Sequence, residues 1–339
     1  MTSTSSTLAL PAPRAYFPLN SGRYVVEAGL KILGQQSVEG LIESEFFPID
    51  ALYGAYLSEK RASRRQLAKH YATHRLAPAI ARDVADWLMN RLVLESPQFF
   101  QRDGWVFRNL LAGFEAEVDP EGLEVAAFRL LTPMLPEAQG DAVNGPVDFT
   151  GADLLDFLAS QLSEDLAITC RDRETGENWQ AFLHVSFPNH WAPEEKIGKP
   201  FMAVHEPVAD FERIARASEK LIDAMITKGP FIRFAWGIAT DTRLNHHPEL
   251  PQGRKLEGDA LAELGEHVFM RIERQTLKGF PEHDAAFFTI RTTFRTLAEI
   301  ARDSVQREHL REAIATMGPD ALAYKGLEDL QAPLVRYLT

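Results

Sequence analysis

The chain has 339 residues, 45% hydrophobic and 25% charged, with a formal net charge of −12. That is globular composition with ample chain for a core, and it excludes a collagen-like or intrinsically disordered polymer. The excess of carboxylates repels a phosphate backbone and no dense Lys/Arg run offsets it, so no nucleic-acid partner is expected. The single cysteine, Cys170, excludes an intrachain disulfide and any all-cysteine zinc or iron–sulfur site in this polypeptide. The Ser/Thr-rich start lacks a basic stretch before an apolar one, and no apolar run approaches the roughly 18 residues of a membrane span. The expected setting is the cytoplasm, without a membrane partner.

In chain order, residues 1–20 read as a mobile Ser/Thr/Pro-rich arm, and 21–150 as a mainly helical region with short strands. Ile80, Val84, Trp87, Leu88 and Leu92 form an apolar stripe on one helix face. Residues 98–118 suggest two short strands broken by turns, and 119–150, rich in Pro, Gly and acids, a long surface connection. Thr150 and Asp153 resemble a capping box ahead of Leu154, Leu155, Leu158 and Leu162. Strands are expected over 166–171 and over 179–187, where apolar and polar residues alternate. Phe211, Ile214, Leu221, Ile222 and Met225 mark an amphipathic helix, stopped by Gly229-Pro230. Three further strands follow at 231–239, 268–277 and 286–294, and helix returns with Leu310, Ile314 and Met317. Two strands closing on three, with the long helix across one face, predicts an α+β fold with a five-stranded antiparallel sheet over 151–300. Residues 301–339 form a helical extension.

No GxGxxG after a strand, no GxxxxGK[ST], no GxSxG and no HExxH occurs, which argues against Rossmann dehydrogenases, P-loop enzymes, serine hydrolases and zincins. The remaining signal is polar residues on strands. Arg271, Glu273 and Gln275 share one strand face, with Arg274 and Thr276 on the other. Arg233 lies on the face of Ala235, opposite Trp236, and Arg291 sits beside Thr289. Two readings stand together: an edge strand with solvated ion pairs, or a pocket in which Glu273 holds a cation and an arginine holds an anion. His184, His190 and His205 cluster around the turns before the long helix, His205 just ahead of Pro207. Each reads either as a satisfied core or surface histidine or as a ligand. His246-His247, in a Pro-rich loop, reads as exposed and not as a metal site.

Several stretches resemble the haem-dependent oxidative N-demethylase family, typified by the alpha subunit of dimethylamine monooxygenase. They are His184-Val-Ser-Phe-Pro-Asn-His-Trp191 through Val204-His-Glu-Pro-Val208; Arg233-Phe-Ala-Trp236; and Arg271-Ile-Glu-Arg-Gln-Thr-Leu277 with Phe288-Thr-Ile-Arg291. Pro193 to Phe201 resembles the turn before the long helix of PAS sensor domains. Pro48-Ile-Asp50, Tyr53 and Arg61 extend the resemblance more weakly towards the N-terminus.

The resemblance implies a PAS-like core over 151–300 binding haem b, and O2-dependent demethylation of a small secondary amine such as dimethylamine to formaldehyde and a primary amine. Electrons would come from a separate NADPH-dependent reductase carrying FMN and a [2Fe–2S] centre. His205 is the implied axial iron ligand, with His190 in reserve. Arg233 would donate to bound O2, and Glu273 would accept the amine's N–H. Arg271, Arg274 or Lys196 would pair with haem propionates, and Trp236 would serve as pocket wall. The family usually carries Asn where this chain has Ala235. A haem PAS gas or redox sensor is therefore a competing expectation, as is a relative without cofactor whose arginines pair internally.

Overall fold

In the computed structural model of the chain, residues 8–25, 28–35, 37–38, 40–140, 143, 145–205, 211–251, 253 and 261–339 are described. The strands, in chain order, are β1 (Lys31–Ile32), β2 (Ser37–Val38), β3 (Leu41–Ile42), β4 (Tyr71–Thr73), β5 (Phe100–Asp103), β6 (Val106–Asn109), β7 (Phe114–Asp119), β8 (Glu124–Leu130), β9 (Asp165–Arg171), β10 (Asn178–His184), β11 (Phe231–Ala239), β12 (Phe269–Phe280) and β13 (Ala285–Thr296). They form a β2-β3 pair, a four-stranded sheet β5-β6-β7-β8 and a seven-stranded sheet β1-β11-β12-β13-β9-β10-β4. The fold is α+β, as expected, but the main sheet has seven strands instead of five. The added edges β1 and β4 are two and three residues long, too short to display a period of two.

The chain divides into two compact units, Met1–Arg14, Glu45–Ala167 and Ala181–Ser186 in the first, Ala15–Ser44, Ile168–Gln180 and Phe187–Thr339 in the second. In the first, the helix Pro78–Glu95 buries Ile80, Val84, Leu88 and Leu92, the stripe read from the sequence. Phe100, Phe107, Phe114 and Phe157 build an aromatic core beside the four-stranded sheet. The segment expected as a surface connection supplies β8 and the helical turn Pro136–Gln139. As an edge strand β8 buries only Val125, so no alternation announced it. Three strands, not two, occupy residues 100–119. The cap of the helix Leu154–Ala159 is Asp153, whose carboxylate accepts from the Leu155 and Asp156 amides, while Thr150 bonds Asp148 instead. Beneath Arg64 and His184, both bound to Asp156, Lys60 is buried and donates to the Ala159 and Glu164 carbonyls. A cavity of about 30 Å³ between Leu57, Phe114 and Phe128 is too small for a ligand larger than water.

In the second unit β11, β12 and β13 pair residue for residue, Phe231 opposite Leu277 and Leu277 opposite Phe288. Residues opposite one another share a face. One face, here the long-helix face, packs Phe231, Leu277 and Ala286 against Ile222, Met225 and Ile226 of the helix Phe211–Thr227. Gly279 lies on this face, where a Cβ would overlap the Ile226 and Met225 carbonyls, so only glycine admits the helix end this closely. The opposite, C-terminal face packs Met270 and Ile272 against Leu297, Ile300, Leu310, Ile314 and Leu334 of the terminal helices. Thr296 and Glu299 form a capping box that starts this helical run directly from β13. Within the arm expected over 1–20, Tyr16 and Phe17 are buried in the same core.

Candidate functional site

The polar residues of β11 and β12 distribute by register. Arg233 faces Gln275, Ala235 faces Glu273 and Gly237 faces Arg271, all on the long-helix face. On β13, Thr292 stands opposite Glu273 and Phe294 opposite Arg271. Arg274 and Trp236 lie on the C-terminal face. Arg274, fully buried, binds Glu43 through Nε and Nη2 at 2.8 Å, and Tyr16 donates to the same carboxylate. Trp236 meets Tyr24 edge-on and carries the Lys325 ammonium 4.9 Å from its ring. Neither Arg274 nor Trp236 is therefore aimed at the face of Arg233 and Glu273. Arg291 stands opposite Arg274, so the strand arginines split between the faces and do not form one cluster.

Arg271 is buried and committed. Its Nη1 donates to the Leu244 carbonyl at 3.0 Å, its Nη2 to the Phe187 carbonyl at 2.7 Å and to Thr292 Oγ1 at 3.2 Å, and its ring neighbour is Phe294. Its Nε lies 3.6 Å from Glu273 Oε1, and Gln275 donates to the other oxygen at 3.1 Å. These contacts hold the Glu273 carboxylate in one orientation. Arg271 acts as a post for that carboxylate and for two loops, not as a free propionate partner.

Arg233 differs. Its Nε is buried without a hydrogen-bond partner, while the residue as a whole is half-buried. Burial pulls it below its ordinary pKa, and the Glu273 charge opposes that pull. A cation in such a position needs an anionic or strongly accepting ligand.

The two loops tied by Arg271 also bind each other. The His190 amide donates to the His246 carbonyl and the His246 amide to the Pro188 carbonyl, with Asn189 and His246 bridged in parallel. The Asn189 side chain reaches over Gly237, on the long-helix face. His190, at φ 61°, is exposed and stacks on His246 with centroids 5.0 Å apart. His246 and His247 are buried, contrary to the expectation of an exposed pair, because each is held by a carboxylate: Asp241 at 2.8 Å and Glu194 at 3.0 Å. Arg243 also binds Asp241, and the hydrogen bonds from Arg243 and His246 outweigh burial and bring that carboxyl to a pKa of about 2. With Nε2 of His246 donating to Asp241, its buried Nδ1 is left as a lone pair without a partner.

His205 ends the short helix Phe201–His205, and its side chain lies outside the described residues. Lys196, half-buried, reaches the Val204 carbonyl at 3.5 Å. Sequence reasoning missed Lys325, which donates to the Trp236 carbonyl at 2.7 Å and whose pKa burial pushes down to about 8 against the pull of Glu273. Nothing in the terminal helix's pattern marks that lysine. The Asp241–His246 pair, by contrast, carries a signal in its spacing, an acid five residues before a histidine in a Pro-rich loop. Among the described residues no helix is long and apolar enough to cross a membrane. The family model for haem-dependent oxidative N-demethylase, alpha subunit-like, matches residues 37–335, which takes in the strands β2 to β13, and the chain belongs to that family.

Proposed function

We propose that this chain is the haem-binding catalytic subunit of an oxidative N-demethylase acting on a small secondary amine. The overall reaction takes R–NH–CH3, O2, two electrons and two protons to R–NH2, formaldehyde and water. The observation that carries the reading is the pairing, on one sheet face, of a partnerless guanidinium, Arg233, with a carboxylate oriented by two neighbours, Glu273. An amine needs an acceptor for its N–H, and oxygen chemistry needs a fixed donor where negative charge develops. The family match supplies the cofactor class. The middle strand order β10-β9-β13-β12-β11, with a long helix on one face, supports a PAS-like core.

The donor chemistry on this face fits a haem: an orphaned arginine Nε, and His190 exposed on a loop pinned by Arg271. His205 would hold the iron, with His190 in reserve, and Lys196 would pair with a propionate. Bound haem b would supply the activation of dioxygen. Glu273 accepts the amine's N–H, and Arg233 donates to negative charge beside it. Arg271 keeps Glu273 in place, and the packed ends of the site at Phe231 and Phe294 restrict water. With one cysteine in the chain, electrons would come from a separate NADPH-dependent subunit carrying FMN and a [2Fe–2S] centre, in the cytoplasm.

The test is formaldehyde release from haem-loaded protein supplied with a competent reductase and a panel of secondary amines. Release that Glu273→Gln reduces by about 100-fold, the scale of a lost acid–base group, supports the reading. No formaldehyde from any amine overturns it.

A further inference from the structure

Among the described residues the charges around Glu273 do not balance. Arg271 touches it, Arg233 is its diagonal neighbour across β11 and β12, and Lys325 lies within electrostatic reach beside the Trp236 carbonyl. Among the described residues two cations, Arg271 and Arg233, therefore share the face of one carboxylate, and Lys325 acts on it from the opposite face. Arg271 is spent on two carbonyls and a hydroxyl, and Lys325 on a carbonyl and two rings. Only Arg233 has no partner among the described residues. A bare alkylammonium would bring a further positive charge into a site that already carries an excess. A substrate with its own carboxylate would not.

We infer that Arg233 is a carboxylate-binding subsite and that the substrate class is an N-methylated amino acid, its amine on Glu273 and its carboxylate on Arg233. The inference rests on the demethylase reading and narrows it. Diagonal neighbours on adjacent strands stand about 7–8 Å apart at Cα, and a long arginine side chain shortens that gap to the span of an amino-acid zwitterion. A guanidinium has five N–H donors in a planar fork, enough for a bidentate carboxylate and one further acceptor. Ala235, between the two residues on the same face, puts no more than a methyl group between them.

A carboxylate on Arg233 has two sources, the substrate and a porphyrin propionate, and the experiment separates them. N-methylglycine and dimethylamine are each titrated into the full chain, with and without haem, by calorimetry and, for the haem-loaded form, by the Soret band. The expected result is tighter binding of N-methylglycine than of dimethylamine. Arg233→Gln should weaken N-methylglycine by about 10- to 100-fold, the worth of a charge-assisted hydrogen bond, and weaken dimethylamine by at least tenfold less than that. Arg233→Lys should restore part of the loss by keeping the charge without the fork. Dimethylamine binding more tightly, or N-methylglycine indifferent to Arg233→Gln, overturns the inference while leaving the demethylase reading intact. Loss of stoichiometric haem in Arg233→Gln, with amine binding unchanged, assigns the carboxylate to the porphyrin and also overturns it. Arg233-dependent N-methylglycine binding by a chain that takes up no haem sustains the inference and defeats the demethylase reading.

Discussion

The two faces of β11, β12 and β13 are made by the same strands and treat their charges in opposite ways. On the C-terminal face, Arg274 is enclosed with Glu43 and Tyr16, and the Thr276 and Thr289 hydroxyls bond each other. On the long-helix face, Arg233 keeps a buried Nε without a partner, one register step from a fixed carboxylate. Folding alone explains the first arrangement, because the buried Arg274 charge is answered by Glu43 and the carboxylate in turn by Tyr16. It does not explain the second, since a half-buried guanidinium with an unanswered Nε costs stability unless something else occupies the site.

The largest expected effect breaks this contrast directly. Arg274→Met strands the buried Glu43 carboxylate and should destabilise the fold by about 3–5 kcal/mol. Arg233→Met removes a charge that had no partner, and should leave stability within about 0.5 kcal/mol or raise it. Urea unfolding of the two variants checks both, and equal losses would erase the distinction between the faces. Next in size, Gly279→Ala drives a Cβ into the Ile226 carbonyl and should cost about 1–3 kcal/mol by overpacking. It should also loosen the long helix, read as faster amide exchange over 218–227.

Much of this contrast was legible in the sequence. Alternation along β11 to β13 assigned Arg233, Glu273, Arg271 and Arg274 to their faces, because a period of two survives wherever both neighbours are sheet. The partners were not legible. Glu43 is separated from Arg274 by 231 positions, and no local pattern connects them. His246 and His247 follow Asn245 in a loop whose composition signals exposure. Their burial depends on Asp241, Glu194 and the Arg271–Leu244 contact, which exist only after folding. Short edge strands such as β4 and the solvated β8 carry too little pattern to be seen.

A pH series sharpens the account further. Burial lowers the pKa of both His184 and His246, so the unfolded chain binds more protons than the folded one below the ordinary value near 6.5. Stability should therefore fall as pH drops below 6.5, by at most about 1.4 kcal/mol per pH unit for each histidine. His246→Gln should flatten that slope, and an unchanged slope would remove His246 as a contributor. The smallest effect is at Lys325. Its pKa of about 8 lies below the ordinary 10.5, so its contribution favours folding increasingly as pH rises between those values. Lys325→Met should abolish that alkaline gain while costing less than about 1 kcal/mol at neutral pH through the lost contact with the Trp236 ring.

The central claim is that the Arg233–Glu273 stretch of the long-helix face serves a haem and an amine. The most direct measurement is the visible spectrum of the protein expressed with ample haem and then titrated with secondary amines. The account predicts a Soret band at one haem per chain that shifts on titration, with the shift weakened in Glu273→Gln. A chain that shows no Soret band, or a Soret band indifferent to every amine tried, would contradict it.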